Sequence, residues 1–442
     1  MSTPSRSVHV PAVPAVLAVV AVLAAAAVAV LAGACLPAGQ LAAQATTPRA
    51  RRVQSDVRYL ASDALEGRLV GTPGYDSAAA YAARELRRLG LRPGGDSGTY
   101  FQRWTIAATT ATRAANVADR PAYNVVGILP GADRSLRGQA IVVGAHLDHL
   151  GVGRFGDPGP DTTAQLHNGA DDNASGAAAV LEMARLLTAA RPRPARTVVF
   201  VLFDAEEEGA LGSSWYSDHP AVPMDSTLAM LNLDMVGRLT NRRLLALGAL
   251  SASEWPSLLD SVNAPYRLDI RASGDGWGAS DHSAFFAHKR PVLHFFTDVH
   301  SDYHRAADDW DKVDSDGIVE VASLASDLVR RLASRPGPLT FVDAPPPAPP
   351  VAGAGGRASL GTIPDMASEP GGVRLQGVRA GTPAEAAGIR AGDVVIGMDR
   401  DTIANLQDYF NALARHQPGD RVEVRVRRGD QVLTLPAVLG RR

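Results

Sequence analysis

Histidine and carboxylate residues fall in tight clusters along this chain, and the clusters come directly after short β-branched runs. His146-Leu147-Asp148-His149 follows the run 141–144, and Asp204-Ala205-Glu206-Glu207-Glu208 follows the run 197–203. Asp234 closes the run 228–233, while His300 and Tyr303-His304 follow the run 292–296. Between the first two clusters lies Gly169-Ala170-Asp171-Asp172-Asn173-Ala174-Ser175-Gly176, a tight acidic turn that leads into a helical pattern. Any one of these residues alone reads as a helix cap, a solvated loop residue or a hydrogen-bonded histidine. Five such clusters converging on one edge read as metal ligands. Imidazole and carboxylate are the donors of open catalytic sites, which keep a coordination position for water or substrate. The single cysteine, Cys35, excludes an intramolecular disulfide and leaves any metal to His, Asp and Glu.

The elements that must position these residues alternate. Residues 53–89 give two helical segments around the turn Gly71-Thr72-Pro73-Gly74. After them the runs 123–129, 141–144, 197–203, 228–233 and 292–296 read as strands, with helices near 175–190, 211–217 and 316–332 between and after them. That order predicts an α/β domain with a mostly parallel central sheet flanked by helices on both faces. In such a sheet ligands bind at the carboxyl ends of the strands, where the clusters fall.

His146-x-Asp148, the Gly169 to Gly176 turn, Glu206-Glu207-x-Gly209-x-x-Gly212-Ser213, Asn232-x-Asp234-Met235-x-Gly237, Ser280-Asp281-His282 and Asp302-Tyr303-His304 occur in that order. Together they resemble the M28 family of zinc peptidases over residues 60–313. The resemblance implies the zinc-dependent exopeptidase fold and two Zn2+ ions, with Asp171 as the carboxylate bridging them. Glu207 and His304 then complete one site, and His146 and Asp234 the other. Two metals sharing a water lower its pKa and clamp both nucleophile and scissile carbonyl. Glu206 resembles the general base, and Gly209 with Gly212-Ser213 fixes the frame within the run Glu206-Glu207-Glu208. The resemblance makes Asp148 the carboxylate that orients His146, Asp308 a residue ordering its own loop, and Tyr303 a candidate for stabilising the oxyanion. It also implies a cis peptide between Asp171 and Asp172. Arg305-Ala306 stands where many relatives have Thr-Pro, and Ala210 where Leu is common; neither departure falls on a proposed ligand. His149, His167, His219, His282, His288 and His294 are left as structural or substrate-lining residues.

The activity implied is that of an aminopeptidase releasing N-terminal residues from peptide substrates. Carboxypeptidase or glutaminyl cyclase-like chemistry on the same fold remains an alternative. So does a catalytically silent envelope binding protein acting through its C-terminal module. That module, residues 358–442, shows Leu360-Gly361-Thr362-Ile363, the Ala391-Gly392-Asp393 turn and an alternating strand from Arg421, and it resembles a bacterial PDZ domain. PDZ domains capture a peptide or protein C-terminus by strand addition, and Leu360, Gly361, Thr362 and Ile363 are the loop expected to do so here. The Pro/Gly/Ala-rich stretch 341–357 reads as a linker and 48–340 as the peptidase domain.

Residues 1–45 carry Arg6, an apolar stretch and then small residues, the layout of an export signal. Three outcomes stay open: cleavage after Ala45, lipid attachment at Cys35, or an uncleaved membrane anchor. Each sends the chain out of the cytoplasm, to a bacterial periplasm, envelope or medium. A formal net charge of −2, with mixed signs along the 442 residues, provides no basic face for nucleic acid.

Overall fold

Thr-Val-Val-Phe-Val-Leu-Phe, residues 197–203, carries no polar side chain beyond its first position, and every residue in it is buried. Such a run has no solvated face, so it needs packed layers on both sides and a central place in a sheet. The computed structural model describes residues 47–106, 117, 119–153, 164–346, 358–365 and 371–441. The expected export segment and most of the expected linker lie outside these residues.

The first domain opens with helices α1 (Pro48–Leu60) and α2 (Pro73–Arg88), then strands β1 (Arg92–Pro93), β2 (Phe101–Thr105), β3 (Pro121–Leu129), β4 (Ala140–His146), β5 (Gly151–Gly153) and β6 (Gln165–His167). Helix α3 (Gly176–Ala189), β7 (Thr197–Phe203), α4 (Leu211–Asp218), β8 (Thr227–Leu233) and β9 (Arg243–Leu247) follow. The domain continues through α5 (Trp255–Asn263), β10 (Asp269–Ser273), α6 (His282–Ala287), β11 (Val292–Phe296) and α7 (Ser315–Ser334). Local chemistry sets the helix starts. Thr47 and Thr72 accept backbone N–H bonds from Ala50 and Tyr75, each with proline at the next position, and Asp314 caps α7 through Gly317.

Nine strands form the main sheet in the order β1-β3-β7-β4-β8-β11-β9-β10, with β2 also on β3. The centre, β7-β4-β8-β11, is parallel, as expected. The edges turn antiparallel, at β3 against β7 and at β9 against β11. Strands β9 and β10 and helix α5 were not read from the sequence. Val198, Phe200 and Leu202 face a layer built from α1, α2, α3, α5 and α7, while Val199, Val201 and Phe203 face Tyr216 of α4 and Phe285 and Phe286 of α6. Helices thus cover both faces. Phe200 is fully buried in the larger layer, so Phe200→Ala is expected to cost about 3–5 kcal/mol of stability. Denaturant unfolding of the full chain measures this.

The C-terminal module comprises β12 (Ala358–Ser359), β13 (Thr362–Pro364), β14 (Val373–Val378), α8 (Pro383–Ala386), β15 (Val394–Met398) and β16 (Asp401–Thr402). Helix α9 (Leu406–Ala414), β17 (Arg421–Arg428), β18 (Gln431–Val438) and β19 (Gly440–Arg441) complete it. Its sheet runs β13-β14-β15-β17-β18, which leaves β13 at an edge. A separate apolar core contains Leu360, Val373, Val395, Met398, Tyr409, Val424 and Val426. Alternation along β17 buries Val422, Val424 and Val426 and turns the intervening charged residues outward.

Candidate metal centre

The carboxyl ends of the four parallel strands deliver one residue after another to a single edge. His146 is the last residue of β4, Glu206 and Glu207 follow β7, Asp234 follows β8, and His300 and His304 lie in the loop after β11. The acidic turn before α3 enters the same space. Gly176 makes the close approach possible, because a Cβ there would lie 2.2 Å from the Leu233 carbonyl oxygen at the end of β8. Asn173 secures the contact: its Oδ1 accepts from Gly176 and Met235 N–H at 2.9 and 3.1 Å, and its Nδ2 donates to the Leu233 carbonyl at 3.1 Å.

Asp172, rather than the expected Asp171, occupies the middle of the cluster. Its Oδ1 lies 3.2 Å from His146 Nε2, and its Oδ2 lies 3.1 Å from His304 Nε2. Asp234 Oδ1 is 3.4 Å from the same His146 nitrogen, and Glu207 Oε2 is 3.2 Å from His304 Nε2. The neighbouring Asp171 turns away. Its Oδ1 accepts from Gly237 N–H at 2.6 Å and its Oδ2 lies 3.1 Å from His300 Nε2. The cis peptide is displaced by one residue as well, joining Asp172 and Asn173. The two consecutive side chains point apart, and the turn gives the inward direction to the second.

Of the other expected residues, Asp148 is buried beneath the cluster. Its carboxylate accepts from the backbone N–H of Glu206 at 3.0 Å and of Glu207 at 3.2 Å. It therefore fixes the segment carrying both glutamates, while its own backbone carbonyl lies 3.2 Å from His146 Nδ1 and its carboxylate 3.7 Å from that nitrogen. Asp308 accepts from Asp171 and Asp172 N–H at 2.9 and 3.0 Å and also faces Arg238 at 3.4 Å, so it orders the acidic turn. Tyr303 stacks on the His304 ring with centroids 3.9 Å apart. In the C-terminal module the Leu360 and Gly361 carbonyls accept from Ala384 and Arg379 N–H, and the Thr362 hydroxyl pairs with Tyr409 of α9 at 2.6 Å. Ile363 lies on β13, at the sheet edge.

Sequence reasoning named three further contributors without giving them a part in the cluster. His149, set aside as structural or substrate-lining, has Nδ1 2.8 Å from Glu207 Oε1 and joins Asp172 and Glu207 in one donor group. Its place three residues after His146 was the available signal. Ser280 donates to Asp234 Oδ2 at 2.8 Å and accepts from Asn232 at 2.8 Å, which sets the carboxylate's direction. His300 anchors Asp171.

Burial and neighbouring charge oppose each other throughout the cluster. Burial disfavours a charged His146 ring, but the Asp234 and Glu206 carboxylates outweigh it and raise its pKa well above the ordinary value. Burial likewise opposes a charged His304, yet Glu207 and Asp172 push it up to about 9. Burial acts to raise Asp172 and Glu207, and the histidines beside them prevail, holding both carboxyls low. Burial pushes Glu206 well above the usual carboxylate range, and it takes Asp281 up to about 7. His146, Asp172 and Asp234 form one group, and His149, Asp172 and Glu207 another, each with its donor atoms within 4.8 Å of one another. Asp172 Oδ2 and Asp234 Oδ1 are buried without a well-directed hydrogen bond. Nitrogen and carboxylate donors so arranged fit zinc.

Residues 124–329 match the profile of Peptidase family M28, and residues 358–438 match that of the PDZ domain. Among curated relatives, the leupeptin-inactivating enzyme 1 of Streptomyces exfoliatus is 26% identical over 62% of this chain and 55% of its own length. Aminopeptidase YwaD of Bacillus subtilis is 44% identical over 16% of this chain and 15% of its own. The chain thus spans about half, or less, of the length of these relatives. Among solved structures, a zinc aminopeptidase from Bacillus subtilis superposes with a TM-score of 0.51 at 18% identity, covering 66% of this chain and 95% of that one. A Zn-dependent exopeptidase from Parabacteroides distasonis gives 0.52 at 20% identity over 65% and 98%. Sequence profile and donor geometry together mark residues 124–329 as a domain of Peptidase family M28, followed by a PDZ domain at residues 358–438.

Proposed function

We infer that this chain is an aminopeptidase whose residues around Asp172 would hold two Zn2+ ions, and that it hydrolyses the N-terminal peptide bond of peptides. The observation that carries this is the division of the Asp172 carboxylate, with Oδ1 3.2 Å from His146 and Oδ2 3.1 Å from His304. One side chain faces two donor groups. His146 and Asp234 complete the first site, and His304 and Glu207 the second, with His149 steadying Glu207. Bound zinc supplies Lewis acidity and a water of lowered pKa. Glu206 would take a proton from the attacking water and return it to the departing amine nitrogen. Burial holds this carboxyl above the usual carboxylate range, the direction that suits a group that both takes up and gives back a proton. Tyr303, stacked on His304, is the residue we assign to the developing oxyanion.

Support for amino-terminal preference comes from relatives: those from Bacillus subtilis and Pseudomonas aeruginosa are named aminopeptidases. A panel of aminoacyl chromogenic substrates tests it. Release is expected to vanish with a zinc chelator and return on adding zinc, and peptides acetylated at the amino terminus should resist cleavage. Zinc-independent turnover, or cleavage of amino-blocked peptides only, would refute this assignment. The same proposal has the chain acting outside the cytoplasm, with β13 and α9 of the PDZ domain receiving an extended peptide and its carboxylate.

A further inference from the structure

Arg68 is completely buried although it is a cation. The chain reaches it through three successive left-handed residues, Glu66, Gly67 and Arg68, with φ of 48°, 69° and 50°. A Cβ at Gly67 would lie 2.3 Å from the His167 carbonyl oxygen and 2.8 Å from Gly151 Cα, so this segment is pressed against the β5–β6 hairpin. The conformation directs the guanidinium beneath the metal-binding cluster.

Every hydrogen bond of that guanidinium goes to a backbone carbonyl. Nε donates to Leu147 at 2.9 Å, one terminal nitrogen donates to Leu60 and, at 2.6 Å, to Asn168, and the other donates to Gly169 at 3.0 Å. Leu147 stands between His146 and Asp148, whereas Asn168 and Gly169 lead into the turn that carries Asp172. A return bond runs from His149 N–H to the Arg68 carbonyl at 3.2 Å. One side chain therefore ties the loop holding His146 and His149 to the turn holding Asp172. The planar guanidinium fork, with five donors, reaches both loops at once, which a single ammonium cannot do. Burial lowers its pKa to about 10, and Asp148, Asp172, Asp308 and Glu207 balance its charge through space.

We propose that Arg68 is a positioning residue of the zinc centre. By bonding the Leu147 carbonyl on one side and the Asn168 and Gly169 carbonyls on the other, it fixes the separation of His146 and Asp172, and with it the affinity for zinc. This rests on the zinc centre inferred above. Charge alone predicts the opposite sign, because a nearby cation repels a dication and its removal would tighten zinc binding.

Zinc titration of the chelator-stripped full-length chain, in competition with a chromophoric chelator, separates the two. Thermal unfolding of each sample establishes that the protein is folded. Arg68→Met and Arg68→Lys are each expected to weaken zinc affinity about 10- to 100-fold, as loss of an outer-shell support does. Arg196 is the control. It is equally buried and bonds the carbonyls of Leu332, Ala333 and Arg335 at the end of α7. Arg196→Lys should lower the unfolding temperature and leave zinc affinity unchanged. Folded Arg68 variants that bind zinc as well as the parent, or more tightly, would overturn the proposal, and Arg68→Lys decides it should Arg68→Met not fold. A parent protein that binds no zinc refutes the metal centre itself, and this inference with it.

Discussion

Replacing Glu206 by glutamine is expected to lower kcat about 10²- to 10⁴-fold while leaving zinc content unchanged. The carboxamide keeps the size of the side chain and the backbone bond from Glu206 N–H to Asp148, so the segment after β7 retains its course. What it loses is the proton carrier. A loss of this size corresponds to about 3–5 kcal/mol of transition-state stabilisation, far more than a surface carboxylate contributes. Metal analysis run beside the kinetics makes the outcome decisive. If zinc disappears along with activity, Glu206 is a ligand rather than a base. If activity persists, another residue carries the proton, and Asp281, raised by burial to about 7, would be the next to examine.

The pair Asp172→Asn and Asp171→Asn should give opposite results at adjacent positions. Asp172 is the only carboxylate that approaches both His146 and His304 among the described residues. Its replacement by a neutral amide should abolish stable zinc loading and reduce kcat/KM by about 10³-fold or more. Asp171→Asn keeps an acceptor for Gly237 N–H and loses only the charge facing His300. Its expected cost is about 1–3 kcal/mol of stability and about a tenfold loss of activity, with zinc retained. Metal content per chain, measured on both variants after gel filtration, decides between them. Loss of zinc from Asp171→Asn alone would restore Asp171 to the bridge.

That pair also marks where reading residues stops short of reading space. The parallel centre was legible because buried strands such as 197–203 and 228–233 are apolar without alternation. The cluster edge was legible because His146, Glu206, Glu207, Asp234 and His304 each follow such a run. Choosing between Asp171 and Asp172 requires the backbone angles of the turn, where Asp172 has φ −104° and ψ 92° and Asn173 has φ −133° and ψ 45°. A sequence of like residues does not contain them. Edge strand β10 was harder to see because it is largely exposed, so its side chains carry little pattern. Arg68 was invisible for another reason. Its partners are backbone carbonyls up to 101 residues away, and a carbonyl has no residue type.

The order of the strands along the chain sets which residues of the cluster are made first and which last. During synthesis the strand ends emerge as His146, Glu207 and Asp234, but β11 pairs with β8 only after the β9–β10 excursion, and His304 comes later still. An emerging chain therefore exposes carboxylates long before it owns a finished pocket. His304, which faces Asp172 and Glu207, is the last of these residues along the chain. The residues proposed to hold zinc thus cannot be supplied by any stretch of the domain shorter than that from His146 to His304.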